Sequence, residues 1–212
     1  VCGRVVSAHE AFFLINWNVM GIFVGMLVVA DVFMESRAPA YIAEIIVDKA
    51  RNTCWAILFI CALTSFISAF VENVATVLIV APIALSLARK LKLDPVNMLI
   101  AIAIASNLQG TATLIGDPPS MLLGGFAKMN FMDFFWYKGR PSIFFAVQAG
   151  AAVSFLVLVW IFRKLRQPVT ADELEPVKTI VPSVMMVLMI VALALAGFFD
   201  PGFGYLAGIL CM

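Results

Sequence analysis

Two stretches place oxygen-bearing and helix-breaking residues inside apolar surroundings. The first is Ser65-Phe66-Ile67-Ser68-Ala69-Phe70-Val71-Glu72-Asn73-Val74-Ala75-Thr76, where two apolar arms meet at Glu72-Asn73 with no real loop between them. The second is Ser106-Asn107-Leu108-Gln109-Gly110-Thr111-Ala112-Thr113-Leu114-Ile115-Gly116-Asp117-Pro118-Pro119-Ser120, set between the apolar half-spans Val96–Ala105 and Met121–Ala127. Paired prolines and two glycines oppose an unbroken helix, at about 3 kcal/mol per interior proline and ~1 per glycine. Non-helical backbone at membrane depth survives only when it is buried in protein or lines a wet cavity. The freed carbonyls, with Asn107, Thr111 and Thr113, form hard oxygen-rich surroundings suited to Na⁺ or a proton carrier. The half-helix after Pro118 is expected to offer unpaired N–H groups and a positive dipole end to an anion.

A plainer reading stands beside this one. Asp117-Pro118 is also a good helix start, with aspartate as N-cap and proline in the first turn. An outer loop there, however, leaves Val96–Ala105 as a ten-residue span, too short to cross a bilayer. The ionisable residues within apolar spans are Asp31, Glu72 and Asp117. Each costs a few kcal/mol at the bilayer centre unless it faces protein or water. Glu72 and Asp117 fall inside the two interruptions and are candidate proton or cation carriers. Asp31 sits near a span end, where a structural role is as good a reading as a carrier role.

The elements that position these residues follow from composition. Of 212 residues, 63% are apolar and 13% charged. An average globular domain has roughly 45–50% and 25%. A mean hydropathy of +1.04 leaves too much apolar surface for a soluble particle of this size. Lipid is the natural solvent, and an all-α polytopic membrane protein is the expected class. The net charge of +1 offers no basic footprint for nucleic acid. His9 alone cannot build a His-rich metal site, and Cys2, Cys54, Cys61 and Cys211 lack CxxC spacing, so neither a metal nor another cofactor is indicated. Candidate spans are Trp17–Met34, Cys54–Val71, Val74–Ala88, Pro95–Ala127, Pro141–Phe162 and Thr179–Phe199. Ala38–Thr53 is amphipathic and suits a helix in the headgroup plane or an exposed connector.

Lysine and arginine near span ends set the orientation. With Arg89-Lys90-Leu91-Lys92 cytoplasmic, alternation puts Arg37, Lys49, Arg51, Arg89, Lys90, Lys92, Arg163, Lys164, Arg166 and Lys178 on one side, against Arg4, Lys128, Lys138 and Arg140. Residues 167–182, with Asp172, Glu173 and Glu175, read as a cytoplasmic linker between a first block (1–166) and the opening of a second (183–212). The chain opens on Val1 and stops inside the apolar Phe203–Met212, so it reads as a fragment. The stretch 54–88 fits either a re-entrant hairpin with both ends cytoplasmic or two full crossings; short arms and Pro82 favour re-entrance.

In order and in wording, the two motifs resemble those of the ion-transporter superfamily, which holds citrate-transporter-like permeases, divalent-anion/sodium symporters, arsenite efflux permeases and sodium/proton antiporters. The likeness runs from Asn16 to Phe162. It implies two inverted repeats, each with a re-entrant hairpin and a broken helix, the second repeat lying largely beyond this chain. It further implies that Asn73, Thr76, Asn107, Gly110 and Thr111 line a cation site and that Asn73 and Thr113 approach the solute. Symporters of the group carry Ser-Asn-Thr at the hairpin tip, where this chain has Glu72-Asn73-Val74. Glu72 and the Gly116-Asp117-Pro118-Pro119 run are closer to the arsenite and antiporter branches. Gln109 stands where Gly is usual, and Ser120 where Asn is usual.

The resulting expectation is an ion-coupled secondary permease in the plasma or inner membrane. It moves a small anion such as citrate by alternating access, with Na⁺ or H⁺ as coupling ion and homodimerisation as in relatives. Arsenite efflux and Na⁺/H⁺ exchange are the alternatives. A channel, an intramembrane aspartyl protease using Asp31 and Asp117, and a structural subunit are more distant; the protease signatures are absent, since Ala30 precedes Asp31 and Leu114-Ile115-Gly116 precedes Asp117.

Overall fold

The computed structural model describes residues 8–165, 167, 177–200 and 205–212. Cys2, Arg4, Arg166 and the linker acids Asp172, Glu173 and Glu175 lie outside them. The described residues form the helices α1 (Ala8–Leu14), α2 (Trp17–Glu35), α3 (Ala38–Asp48), α4 (Thr53–Ser68), α5 (Asn73–Lys90), α6 (Val96–Gly110), α7 (Pro118–Ala127), α8 (Ile143–Phe162), α9 (Val181–Phe199) and α10 (Leu206–Cys211). A 3₁₀ turn (Met132–Phe134) and a two-residue antiparallel pair, β1 (Trp136–Tyr137) and β2 (Arg140–Pro141), join α7 to α8. The pair turns through Lys138 and Gly139, both at positive φ (50° and 76°), the backbone a tight two-residue hairpin needs.

Side chains just outside the helices decide where they start. Asn16 accepts from the Val19 N–H at 3.2 Å and Asn52 from Trp55 N–H at 3.1 Å. Each satisfies an orphan donor that lipid could not. By length and apolarity α2, α8 and α9 can cross a bilayer; α4, α5 and α6 are shorter. One face of α8 is turned outward, and only Leu158 and Phe162 of its residues are buried. Trp17, Trp55, Trp136 and Trp160 are exposed near helix ends, where an interfacial indole belongs. This is an integral, multi-pass, all-α membrane protein.

Hydrogen bonds fix which ends lie together. Thr53 and Cys54 N–H at the start of α4 donate to the Gln167 and Leu165 carbonyls beyond α8, at 2.9 and 3.0 Å. Lys178 N–H, just before α9, donates to the Ser36 carbonyl after α2 at 3.1 Å. A cavity bounded by Leu93, Asn97 and Lys164 joins the start of α6 to the end of α8. Arg37, Lys49, Arg51, Arg89, Lys90, Lys92, Arg163, Lys164 and Lys178 therefore share one end of the bundle, as the alternation of spans predicts, while Lys128, Lys138 and Arg140 sit at the other. The amphipathic segment is α3, whose Val47 packs into the same core as Leu87 and Ala88 of α5.

Three apolar clusters fill the interior, the smallest around Ala30, Ile67, Val71 and Met186. Another, around Ile57, Leu58, Ile60, Val80, Met98 and Ile102, fills the basic end. The third, around Ile22, Leu114, Ile115, Phe134 and Leu193, fills the opposite end. Between α2 and α10 the packing is by absence of side chains. A Cβ on Gly21 meets the Gly208 carbonyl oxygen at 3.0 Å, one on Gly25 runs into the Cys211 carbonyl, and Gly208 N–H donates to Asn18 Oδ1 at 2.6 Å. Close backbone approach of this kind replaces the hydrophobic drive that lipid removes. Gly25→Leu is expected to destabilise the fold by about 2 kcal/mol, in the range for overpacking. Thermal unfolding of the detergent-solubilised protein checks it, with Val24→Leu on the exposed face as the control that leaves the midpoint in place.

Candidate binding site at the hairpin tip and the broken helix

The two sequence interruptions meet. The tip between α4 and α5 packs against the end of α6 and the segment between α6 and α7. Four side chains form a hydrogen-bonded network in which each serine hydroxyl has two acceptors in reach, the second being the Asn73 carbonyl at 3.1 Å for Ser106 and the Ser106 carbonyl at 2.9 Å for Ser68. Ser106 Oγ donates to Ser68 Oγ at 2.9 Å, Ser68 Oγ to Asn73 Oδ1 at 2.8 Å, Asn73 Nδ2 to Asn107 Oδ1 at 3.3 Å, and Asn107 Nδ2 to the Ala103 carbonyl at 3.0 Å. Linked bonds polarise one another, and the effect grows where water is excluded. Ser68 and Ser106 are fully buried, Asn73 is half-buried and Asn107 is exposed. The network thus runs from the interior to an open amide.

Glycines bring the backbones together. A Cβ on Gly110 collides with Asn73 Oδ1, so only glycine lets the asparagine lie across the end of α6. At Gly116 a Cβ runs into the Gly110 carbonyl oxygen and meets those of Ser68 and Ala69 at 2.9 and 3.0 Å. Three backbone carbonyls from the hairpin and α6 therefore converge on a place where no side chain stands. Thr113 is fully buried, and its hydroxyl donates to the Ala69 carbonyl, stitching the unwound segment to the tip. Thr111 Oγ1 donates to the Leu108 carbonyl at 2.9 Å and Thr76 Oγ1 to that of Glu72 at 3.1 Å.

The carboxylates serve as caps. Glu72 accepts from Ala75 N–H at 2.9 Å at the start of α5, and Asp117 from Ser120 N–H at 2.9 Å at the start of α7. Both border one cavity of about 10 Å³, closed by Phe23, Met26, Phe70 and Met121, room for a single water. Asp117 is only 4% exposed, and the residues from Ala112 to Asp117 are all buried. The aspartate is thus a cap, yet the segment before it is no outer loop. Asp31 lies on the exposed face of α2, away from the cavity that joins the other two.

Two expectations change. The helix before the break extends to Gly110, not Ala105, because Asn107 and Thr111 bond back to α6 carbonyls, keeping the polar stretch helical. The start of α7 offers no unpaired N–H to an anion. Pro118 and Pro119 have none, Ser120 N–H is taken by the Asp117 carboxylate, and Met121 N–H by the Asp117 carbonyl at 3.2 Å. Sequence reasoning also passed over Ser68, Ser106 and the reciprocal amide pair Gln109–Gln148, whose two N–H···O bonds are each 3.0 Å. Gln148 had a signal: it is an amide in the otherwise apolar α8.

The depth of the site can be read along α8. Gln148 lies fourteen residues before Phe162, about 21 Å from that end and about 8 Å short of the other at 1.5 Å per residue. The break in α6 and the hairpin tip thus end within the length of α8. Removing one link of the network leaves buried groups unpaired, at about 1–3 kcal/mol. Ser106→Ala is expected to lower the unfolding midpoint accordingly, and Gly110→Ala to lower it further by displacing Asn73; chemical denaturation in detergent micelles compares them.

A family model described as citrate transporter matches residues 1–212. An uncharacterized transporter of Mycobacterium bovis is 33% identical over 135 residues, 61% of this chain and 32% of the relative. The P protein of Mus musculus is 31% identical over 145 residues, 68% of this chain and 17% of the relative. The human P protein is 30% identical over 166 residues, 76% and 20% of the two chains. The chain spans about a third of the mycobacterial relative's length and about a fifth of the P proteins'. Matched from end to end, it belongs to the citrate transporter family.

Proposed function

We propose that this chain supplies one binding half of an ion-coupled secondary permease, which moves a small carboxylate such as citrate by alternating access with Na⁺ or H⁺. One observation carries the reading: hairpin tip and broken helix are joined by a chain of polar side chains that ends in the exposed amide of Asn107. In the proposed cycle Asn73, Asn107 and Thr111 contact ion and solute, while Thr76, Gly110 and Thr113 hold the shape. The hydroxyls and amides of Asn73, Asn107 and Thr111, set beside a broken helix, support a small hard cation as coupling ion. Arms of 16 and 18 residues, about 24 and 27 Å long, support a re-entrant hairpin over two full crossings of a ~30 Å core.

A second reading has its own support. Carboxylates cap both helices that start at the site, and Glu72 and Asp117 border one cavity. Such a lining suits a proton or metal cation better than an anion, which favours Na⁺/H⁺ exchange; arsenite efflux stands beside it on the likeness of Glu72 and Asp117 to that branch. In either case the activity needs the remainder of the protein, with a second copy of the chain as a further expected partner.

The test uses the full-length protein in proteoliposomes. Radiolabelled citrate uptake is expected to saturate and to require an imposed Na⁺ or pH gradient, which separates a carrier from a channel. Asn107→Ala and Asn73→Ala are expected to lower it about tenfold or more, the loss of ~1.4 kcal/mol of binding. Exchange of Na⁺ for H⁺ without citrate, abolished by Asp117→Asn, is the outcome for the second reading. No movement of citrate, arsenite or cation overturns both. Gly116→Ala is expected to lower the unfolding temperature, because the added methyl runs into the Gly110 carbonyl and pushes the hairpin tip from the unwound segment.

A further inference from the structure

The amide pair between α6 and α8 has a place in the geometry that hydrogen-bond satisfaction alone does not explain. Gln109 is 7% exposed and lies two residues from Asn107, about 200° around the helix. One residue thus faces α8 while the other faces the open side of the site. Gly110, which follows, has no room for a different rotation, since Asn73 lies against it. The last turn of α6 is held from both sides: by Asn73 on the hairpin and by Gln148 on α8.

α8 is held at both ends, at its start by Ser142 N–H on the Phe135 carbonyl at 3.1 Å and by Phe144 stacked 4.6 Å from Phe135. Its buried residues, Leu158 and Phe162, lie at the basic end, where Leu165 and Gln167 also accept from the start of α4. Toward the other end α8 borders a cavity of about 30 Å³ shared with Ser65, Ala105 and Ser154, and beyond it comes Gln148. Gln109 and Gln148 each donate and accept once, at 3.0 Å. A self-complementary amide pair of this kind defines direction as well as distance, which apolar contact in lipid does not.

We propose that Gln109 and Gln148 are positioning residues: their pairing fixes the rotation of the last turn of α6 and so aims Asn107 and Thr111 at the candidate site beside the hairpin tip. The inference rests on the function proposed for this site, but its test has an arm that needs no transport. The substitution is Gln148→Met, close in shape and unable to pair, with Gln148→Glu as the conservative variant that still accepts from Gln109. Both are made in the full-length protein, and both must elute as a single species of wild-type size.

In the transport arm, Gln148→Met is expected to raise the KM for citrate about fivefold or more while Vmax stays within twofold, and Gln148→Glu to restore most of the difference. In the second arm, Asn107→Cys is introduced with the native cysteines replaced, and its rate of modification by a membrane-impermeant maleimide is measured. Adding Gln148→Met is expected to change that rate at least threefold, and Gln148→Glu to return it toward the starting value. An unchanged labelling rate in a folded Gln148→Met protein overturns the proposal, as does a loss confined to Vmax. If wild type moves no citrate, the transport reading fails and the labelling arm alone decides.

Discussion

Backbone that leaves the helix inside a lipid-embedded fold has no water to bond with, and the whole arrangement follows from how this chain meets that constraint. The unwound segment from Thr111 to Asp117 is pressed against a second irregular place, the tip between α4 and α5, so that each supplies partners to the other. Thr113 reaches the Ala69 carbonyl, Ser68 and Ser106 bond across the junction, and glycines at 110 and 116 remove the side chains that would hold the two apart. Neither interruption is stable without the other. Apolar clusters pack on either side of the junction.

Much of this was legible because lipid imposes simple rules. The long helices α2, α8 and α9 lie within a few residues of the predicted spans, since an apolar run of about twenty residues has few other fates. The basic residues gather at one end because the same alternation governs insertion and packing. The break after α6 was visible in its prolines and glycines. Its beginning was misplaced because Ser106 and Asn107, disfavoured in an isolated helix, here have their side chains taken up by the hairpin and by the Ala103 carbonyl.

What stayed hidden is long-range pairing. That Ser68 would find Ser106, or Gln109 find Gln148, depends on how α4, α6 and α8 are set side by side, and a single chain carries no direct record of that. The anion expectation at α7 failed for a local reason. A helix dipole attracts anions through its free N–H groups, and a start built from Asp-Pro-Pro has already used or removed them. The macrodipole argument is sound only after the donors have been counted.

Each end of α8 is tied to a different apolar cluster. At one, Leu158 and Phe162 join the residues around Ile57 and Met98. At the other, Ile143 packs on those around Leu114 and Phe134, and Ser142 N–H donates to the Phe135 carbonyl at 3.1 Å. A helix clamped twice acts as a strut: it holds the spacing between the two clusters constant, and Gln148 rides on it at a fixed height.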